Sequence, residues 1–303
     1  MSQIQHPLIS IIIPTYNRPQ QLALCLQSLA HQNYPHFEVI VVDDGSQTPL
    51  FECVEHFQSQ LDITLLTQYN AGPAAARNTG AAQAKGQFIA FTDDDCQPDA
   101  NWLKNLAACF KENPDAAIGG QIINQLSKNV YSTASQLIID YLYRYYNAEL
   151  HQARFFTSNN LALPAKLFHA MNGFHIHFPL AAAEDREFCH RWLQHGYTMF
   201  YMPEAVVYHN HHLTFLSFWR QQFNYGRGAF LFHHAKRGDS TKEPKSFYWH
   251  LIRYPFSKAS LFKAFILATL MVVSQVAITA GYFWESNDTL ANKTSLINLE
   301  VLI

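Results

Sequence analysis

An apolar, aromatic-rich run, Phe88 to Phe91, stops at three consecutive carboxylates, Asp93-Asp94-Asp95. The run reads as a buried strand. Three like charges side by side at its end are costly unless something positive joins them. A fold for this chain must therefore supply cations at that strand end. In an extended chain Asp93 and Asp95 project to the same side and can share one ion. Oxygen donors of that kind suit Mg²⁺ or Mn²⁺, an ion typically used to hold phosphate oxygens. Three Asp alone would equally fit a solvated acidic turn.

The residues before this stretch repeat the arrangement. Leu8 to Ile13 is an Ile-rich run ending in Pro14-Thr15-Tyr16-Asn17-Arg18, with Pro19 placed to open a helix after Arg18 or Asn17. Leu22, Cys25, Leu26 and Leu29 form one apolar helical face. Phe37 to Val42 is a second buried strand, ending in Asp43-Asp44-Gly45-Ser46. A weaker helix over 49–59 and a strand over 62–66 follow. Next come Tyr69-Asn70-Ala71-Gly72-Pro73 and a small-residue helix from Ala74 to Lys85, which Gly86 would close.

Strands and helices alternating at this spacing predict right-handed crossovers and a mostly parallel, Rossmann-like α/β sheet, with ligands beyond the carboxyl ends of the strands. No Gly-x-Gly-x-x-Gly follows the first strand, which disfavours a dinucleotide, and no Gly-Lys-Ser/Thr loop occurs, which excludes a P-loop. A single nucleotide remains. Asp43 or Asp44 could accept from its base or ribose. Arg77, near a helix N-terminus, could meet a diphosphate, or be a solvated surface arginine.

These residues resemble the family 2 glycosyltransferases, which have the A-type nucleotide-sugar fold. The matching motifs are Pro14 to Arg18, Val42 to Ser46, Gly72 through Ala76-Arg77-Asn78 to Gly80, and Asp93-Asp94-Asp95, in order over the first third of the chain. The resemblance implies a nucleotide-diphosphate sugar held by Pro14, Tyr16, Arg18, Asp43, Asp44, Arg77 and Asp94, with Asp44 on the base. It implies that Asp93 and Asp95 bind a divalent cation, Mn²⁺ or Mg²⁺.

Beyond Gly119-Gly120 the parallel alternation stops. Tyr141, Tyr143, Tyr145 and Tyr146 surround Arg144 on a helix, as core packing or as a surface for sugar or lipid. Asn159 and Asn160, between apolar runs, could form a turn or bind sugar hydroxyls; the resemblance favours the sugar pocket, with Glu184 and Trp192 beside it. A helix starting in Ala181-Ala182-Ala183-Glu184-Asp185 is expected to reach His195 and to be capped by Gly196. The helix dipole should keep its first-turn carboxylates ionised, which suits a base. The resemblance gives that role to Asp185. Arg191-Trp192 is present, but Phe188 stands where the processive polymerases of this kind carry Gln, so a processive mode is not expected.

In Tyr208-His209-Asn210-His211-His212, the resemblance implies that either His209 or His211 completes a metal or diphosphate shell, and a surface histidine cluster fits equally well. A zinc site lacks a cysteine nearby in sequence. The five cysteines are odd in number and scattered, which fits reduced thiols in a cytosolic setting. Met1 to Pro7 have neither the basic nor the apolar segment of a secretory leader.

Charged residues make up only 15% and aromatics 14%. That balance, with a net charge of −2, argues against nucleic acid and for an apolar partner. The aromatic stretch from Thr214 to His234 carries Arg220 and Arg227, and Lys236, Arg237, Lys242, Lys245, Arg253, Lys258 and Lys263 follow. Ala264 to Trp284 is then uncharged and long enough to span a bilayer or to lie on one.

The expectation is an inverting, metal-dependent glycosyltransferase at the cytoplasmic face of a membrane, serving polysaccharide or cell-envelope synthesis with a glycan or lipid-linked acceptor. Residues 1–120 form the donor half, 121–213 the acceptor and catalytic-base half, 214–263 an aromatic and basic helical region, 264–284 the apolar helix and 285–303 a tail. A nucleotidyltransferase, which would need a Gly-rich basic loop after the first strand, and a non-catalytic nucleotide-sugar or glycan binder are the alternatives.

Overall fold

The computed structural model describes residues 6–176, 182–235 and 243–300, with side chains to residue 289. Ala181, Lys236, Arg237 and Lys242, named above, lie outside the described residues. The chain divides into two compact units.

The first unit comprises residues 1–126, 142–179 and 184–211. Its elements begin with β1 (Ile9–Thr15), α1 (Pro19–Leu29), β2 (Phe37–Asp43), α2 (Phe51–Glu55), β3 (Ile63–Thr67), α3 (Pro73–Gln83) and β4 (Phe88–Phe91). Then come β5 (Cys96–Pro98), α4 (Trp102–Glu112), β6 (Ala117–Asn124), the last residues of α5 (Val130–Tyr146, whose residues 130–141 belong to the second unit), β7 (Leu161–Pro164), α6 (Ala165–Ala170), α7 (Glu184–Gln194) and β8 (Met199–His209). One eight-stranded sheet runs β3-β2-β1-β4-β7-β6-β8-β5. The expected parallel half is present: β1 pairs with β2 and β4, and β2 with β3, all parallel. β7 then runs antiparallel to both β4 and β6, while β8 runs parallel to β6 and antiparallel to β5.

Burial explains the strand composition. Every residue of β1 is buried, because α1 and α4 cover one face of the sheet and α3 the other. Phe88 stacks on Phe110 of α4 at 3.8 Å between centroids. On the other face the small residues of α3 allow close approach, with Ala76 packed against Ile40 and Val42. Removing such large apolar side chains from water contributes about 1.5–3 kcal/mol each.

Helix ends follow the sequence signals in two cases and depart in one. Pro19 opens α1. Gly196, at φ 79°, terminates α7: its N–H donates to Leu193 O and the Tyr197 N–H donates to Trp192 O, while the Trp192 and Tyr197 rings meet at 4.9 Å. A left-handed residue closing those two bonds is the Schellman geometry. Gly86 does not cap α3. It lies beyond the helix, and its N–H donates to Ser10 Oγ, which itself donates to the buried Glu38.

The second unit comprises residues 127–141, 180–183 and 212–303. Its helices are α8 (Phe215–Ala235), α9 (Lys245–Arg253) and α10 (Leu261–Glu300). Residues 261–289 of α10 are long and apolar enough to cross a membrane, with one third of the most apolar window buried.

Candidate active site

The carboxyl ends of β1, β2 and β4 converge, and the polar residues that follow them are tied to one another. Asp93 to Cys96 is not extended as expected from the sequence: it is a turn closed by the Cys96 N–H donating to Asp93 O. The three Asp side chains therefore take three different partners. Asp93 accepts from Arg77 Nη2 at 2.6 Å. Asp94 accepts from Thr15 Oγ1 at 2.8 Å and Arg18 Nη1 at 3.1 Å. Asp95 meets Arg18 at 3.2 Å and His209 Nε2 at 3.3 Å. The cations demanded by the acidic stretch are thus supplied partly by the chain itself.

Asp95, Cys96 and His209 group their ligand atoms within 4.8 Å of one another. The β5–β8 pairing places Cys96 directly opposite His209, so a thiol does lie beside the histidines, contrary to the reading from linear spacing. Burial pushes the Cys96 thiol well above its usual range, which leaves it a poor ligand for a hard cation. Burial also raises Asp95, but the His209 hydrogen bond and charge, with Arg18, hold it down to about 2. An ionised carboxylate beside an imidazole fits Mn²⁺ or Mg²⁺ better than thiolate chemistry would. His211 lies next to His209, ring centroids 5.0 Å apart.

Asp44 is buried and its carboxylate accepts from Gln68 Nε2 and from the Ala71 and Gly72 N–H groups, at 2.7–2.9 Å. It anchors the loop ahead of α3 and keeps part of one oxygen's accepting capacity for a base. Asp43 accepts from the Ser46 N–H. Pro14 is buried in β1, and Tyr16 stands 45% exposed at its end.

Arg77 is buried rather than solvated. Besides Asp93 it donates from Nη1 to Glu184 Oε1 at 3.1 Å, and its Nε has no partner among the described residues. Burial disfavours its charge, but Asp93 and Glu184 outweigh that and raise its pKa. Glu184 and Asp185 open α7 as expected, yet the helix dipole does not hold them low. Burial dominates: with repulsion from Asp185 it pushes Glu184 up to about 7, and by itself it raises Asp185 above the ordinary aspartate value. The two shifts across the Arg77–Glu184 pair pull in opposite senses, one favouring charge and one neutrality. Glu184 and Asp185 titrate as a pair, and we assign the upward direction to that pair because both carboxyls are enclosed. Ala183, just before them, has φ 72°, a strained conformation for a non-glycine residue.

Two residues assigned to a sugar pocket are committed elsewhere. Asn160 is buried, donates from Nδ2 to Gln121 O and Ala205 O, and accepts from the Trp102 indole N–H at 2.9 Å. Both donors are used, so no N–H remains for a sugar. Trp192 is fully buried and donates its indole N–H to Thr198 O. Asn159 accepts from Thr157 Oγ1 and points Nδ2 at the Cys96 sulfur. Of the tyrosines, Tyr141 and Tyr143 are core, Tyr145 is exposed, and Tyr146 accepts from Arg186. Thr15 and Gln68, which hold Asp94 and Asp44, were not singled out from sequence; their position beside strand-end acids was the available signal.

A family model described as "Glycosyl transferase family 2" matches residues 10–172. Glycosyltransferase AglE of Haloferax volcanii is 36% identical over 120 residues, 38% of this chain and 40% of that protein. Hyaluronan synthase of Pasteurella multocida is 30% identical over 240 residues, 68% of this chain and 25% of that protein. The chain thus spans two fifths or less of the length of these relatives. Among solved structures, the mannosyltransferase PcManGT of Pyrobaculum calidifontis, in complex with GDP-Man and Mn²⁺, superposes with TM-score 0.66 at 19% identity, covering 93% of this chain and 88% of that one. The fold is shared.

Proposed function

This chain belongs to glycosyl transferase family 2, and on that premise we propose that it moves a sugar from a nucleotide-diphosphate donor to an acceptor hydroxyl with inversion at the anomeric carbon. The observation that carries the reading is the convergence of Arg18, Arg77, Asp93–Asp95, Glu184–Asp185 and His209 within the first unit. Asp44, with Asp43 and Tyr16 nearby, receives the base and ribose. Asp95 and His209 would hold the divalent cation, which supplies positive charge for the leaving diphosphate. Asp93, drawn to Arg77, orients the donor instead.

Asp185 is the base. Backbone N–H groups of Arg186 and Ser158 hold its carboxylate, with Oδ1 accepting from Arg186 at 2.7 Å, and that carboxylate takes the acceptor proton. A raised pKa favours this role, since proton transfer is most efficient when the base titrates near the working pH. Arg77 keeps Glu184 turned away from the acceptor. The acceptor is a glycan or lipid-linked hydroxyl, and the chain works at the cytoplasmic face of a membrane, with residues 1–120 serving the donor and 121–213 the acceptor.

Calorimetry with GDP-, UDP- and TDP-sugars, each with Mn²⁺, Mg²⁺ or chelator, tests this reading. One donor binding only with metal, and giving product of inverted configuration by NMR, is the expected result. Failure of every donor under every metal condition would overturn it.

A further inference from the structure

The described second unit has an apolar surface that the chemistry above does not use. The buried residues of α10, among them Ala264, Leu267, Met271, Ser274, Ala277 and Gly281, repeat at helical spacing and line its inner face. That face is occupied by α8. A Cβ at Gly226 or Gly281 would collide with backbone of the other helix, so the two helices touch backbone to backbone. Arg227 Nε also donates to Glu285 Oε2 at 2.6 Å, with its guanidinium 4.3 Å from the Trp284 ring centre.

The outer face is different. Phe262, Phe265, Ile266, Val272, Val276 and Phe283 are all exposed, Phe262 at 79% and Phe283 at 62%, and no charged residue interrupts 264–284. Phe256 meets Phe265 edge-on at 5.1 Å, so the segment after α9 extends the same surface. Exposed Arg253 and Lys258 give that end a basic edge, while half-buried Lys263 donates to Ser127 O at 3.1 Å. Apolar and aromatic residues beside Lys and Arg match an anionic lipid surface, where rings enter the acyl boundary and cations stay at headgroup level.

Length does not decide between crossing and lying flat, since 22 residues from Phe262 to Phe283 extend about 33 Å as a helix. The companion helix decides it. If α10 crossed, α8 would be drawn in beside it with its exposed Arg220, a charge that hydrocarbon disfavours strongly. Lying flat, α10 puts its outer face into lipid and leaves α8 on the water side.

We propose that α10 docks in the plane of an anionic lipid surface through its outer face, with Arg253 and Lys258 on the headgroups, and does not cross the bilayer. This rests on the membrane reading above and specifies its geometry.

The test uses the full chain with an epitope tag after Ile303. Flotation with phosphatidylglycerol-containing vesicles, weakened by salt or by pure phosphatidylcholine, is expected. In sealed inverted vesicles from expressing cells, protease should remove the tag, and alkaline carbonate should release the protein. Phe262→Asp with Phe265→Asp should lower vesicle partitioning by at least about tenfold while nucleotide-sugar binding persists, which confirms that the variant is folded. A protected tag with carbonate-resistant protein would overturn the in-plane geometry and leave membrane association standing. Absence of flotation with any vesicle, or self-association through this face seen in sedimentation, would overturn both.

Discussion

Arg77 Nη1 stands 3.1 Å from Glu184 Oε1, and both side chains are buried although 107 residues separate them. With its other nitrogen on Asp93, this guanidinium joins the end of β4 to the start of α7. One cation thereby holds Asp93 and Glu184 in a single arrangement. A planar fork with several donors can do this, and an ammonium cannot.

Arg77→Ala should therefore be destabilising beyond its lost contacts. It leaves Asp93 and Glu184 facing each other's neighbourhood without a counter-charge, a loss of about 3–5 kcal/mol when one partner of a buried pair is removed. Urea unfolding should show that loss, with Arg77→Lys in between. A variant as stable as the parent would mean that the two acids are held by other groups.

Asp185→Asn should lower turnover by about 10² to 10⁴ with donor affinity nearly unchanged, because only the proton acceptor is lost. A base works in its ionised form. Since burial raises Asp185 above the ordinary aspartate value, the acid limb of the activity profile should lie at higher pH than an exposed aspartate would give. An acid limb unchanged in the Asp185→Asn variant, measured on its residual activity, would remove Asp185 from the role.

The parallel half was legible because its signals are local. β1, β2 and β4 are apolar runs, broken only by Ser10 in β1 and Glu38 in β2, each stopped by polar residues that the fold then places at one sheet edge. Asp93–Asp95, Arg77 and the Glu184–Asp185 pair could be picked out by residue type and spacing. Their partners could not. Cys96 reaches His209 only because β5 pairs with β8, and Asn160 is consumed by Trp102, Gln121 and Ala205, each from a distant segment. Periodicity reports which face of an element is buried, not which element covers it. Burial itself is a tertiary property, so the upward shift at Asp185 was hidden behind a local dipole argument that pointed the other way.

Glu184→Gln should flatten the dependence of stability on pH. Glu184 is raised from an unfolded value near 4.5 to about 7, so between those values the folded state binds the proton more tightly than the unfolded one. Its contribution is present below the unfolded value and lost as pH rises through about 7. Wild type should lose stability over that window, by an amount on the order of 1–3 kcal/mol. The Gln variant, which can still accept from Arg77, should lose less. Equal slopes in thermal unfolding from pH 4.5 to 7.5 would show that Glu184 does not carry the effect.

His209→Ala should raise the Mn²⁺ concentration needed for donor binding by about ten- to a hundredfold, the range seen when groups that shape a metal site are removed. Calorimetric titration of Mn²⁺ in the presence of the bound donor measures it. Unchanged metal demand would leave His209 as a partner of Asp95 only.

Asn160→Ala separates architecture from chemistry. The side chain satisfies the buried Trp102 indole N–H, the buried Ala205 carbonyl and the partly buried Gln121 carbonyl, all within the first unit. Deleting it strands a buried donor and two acceptors, at a cost of about 1–3 kcal/mol for each group left without a partner. Stability should drop by at least about 2 kcal/mol, while the folded fraction binds donor and turns over as before. A selective loss of acceptor affinity at unchanged stability would return Asn160 to the sugar pocket, from which its spent donors exclude it.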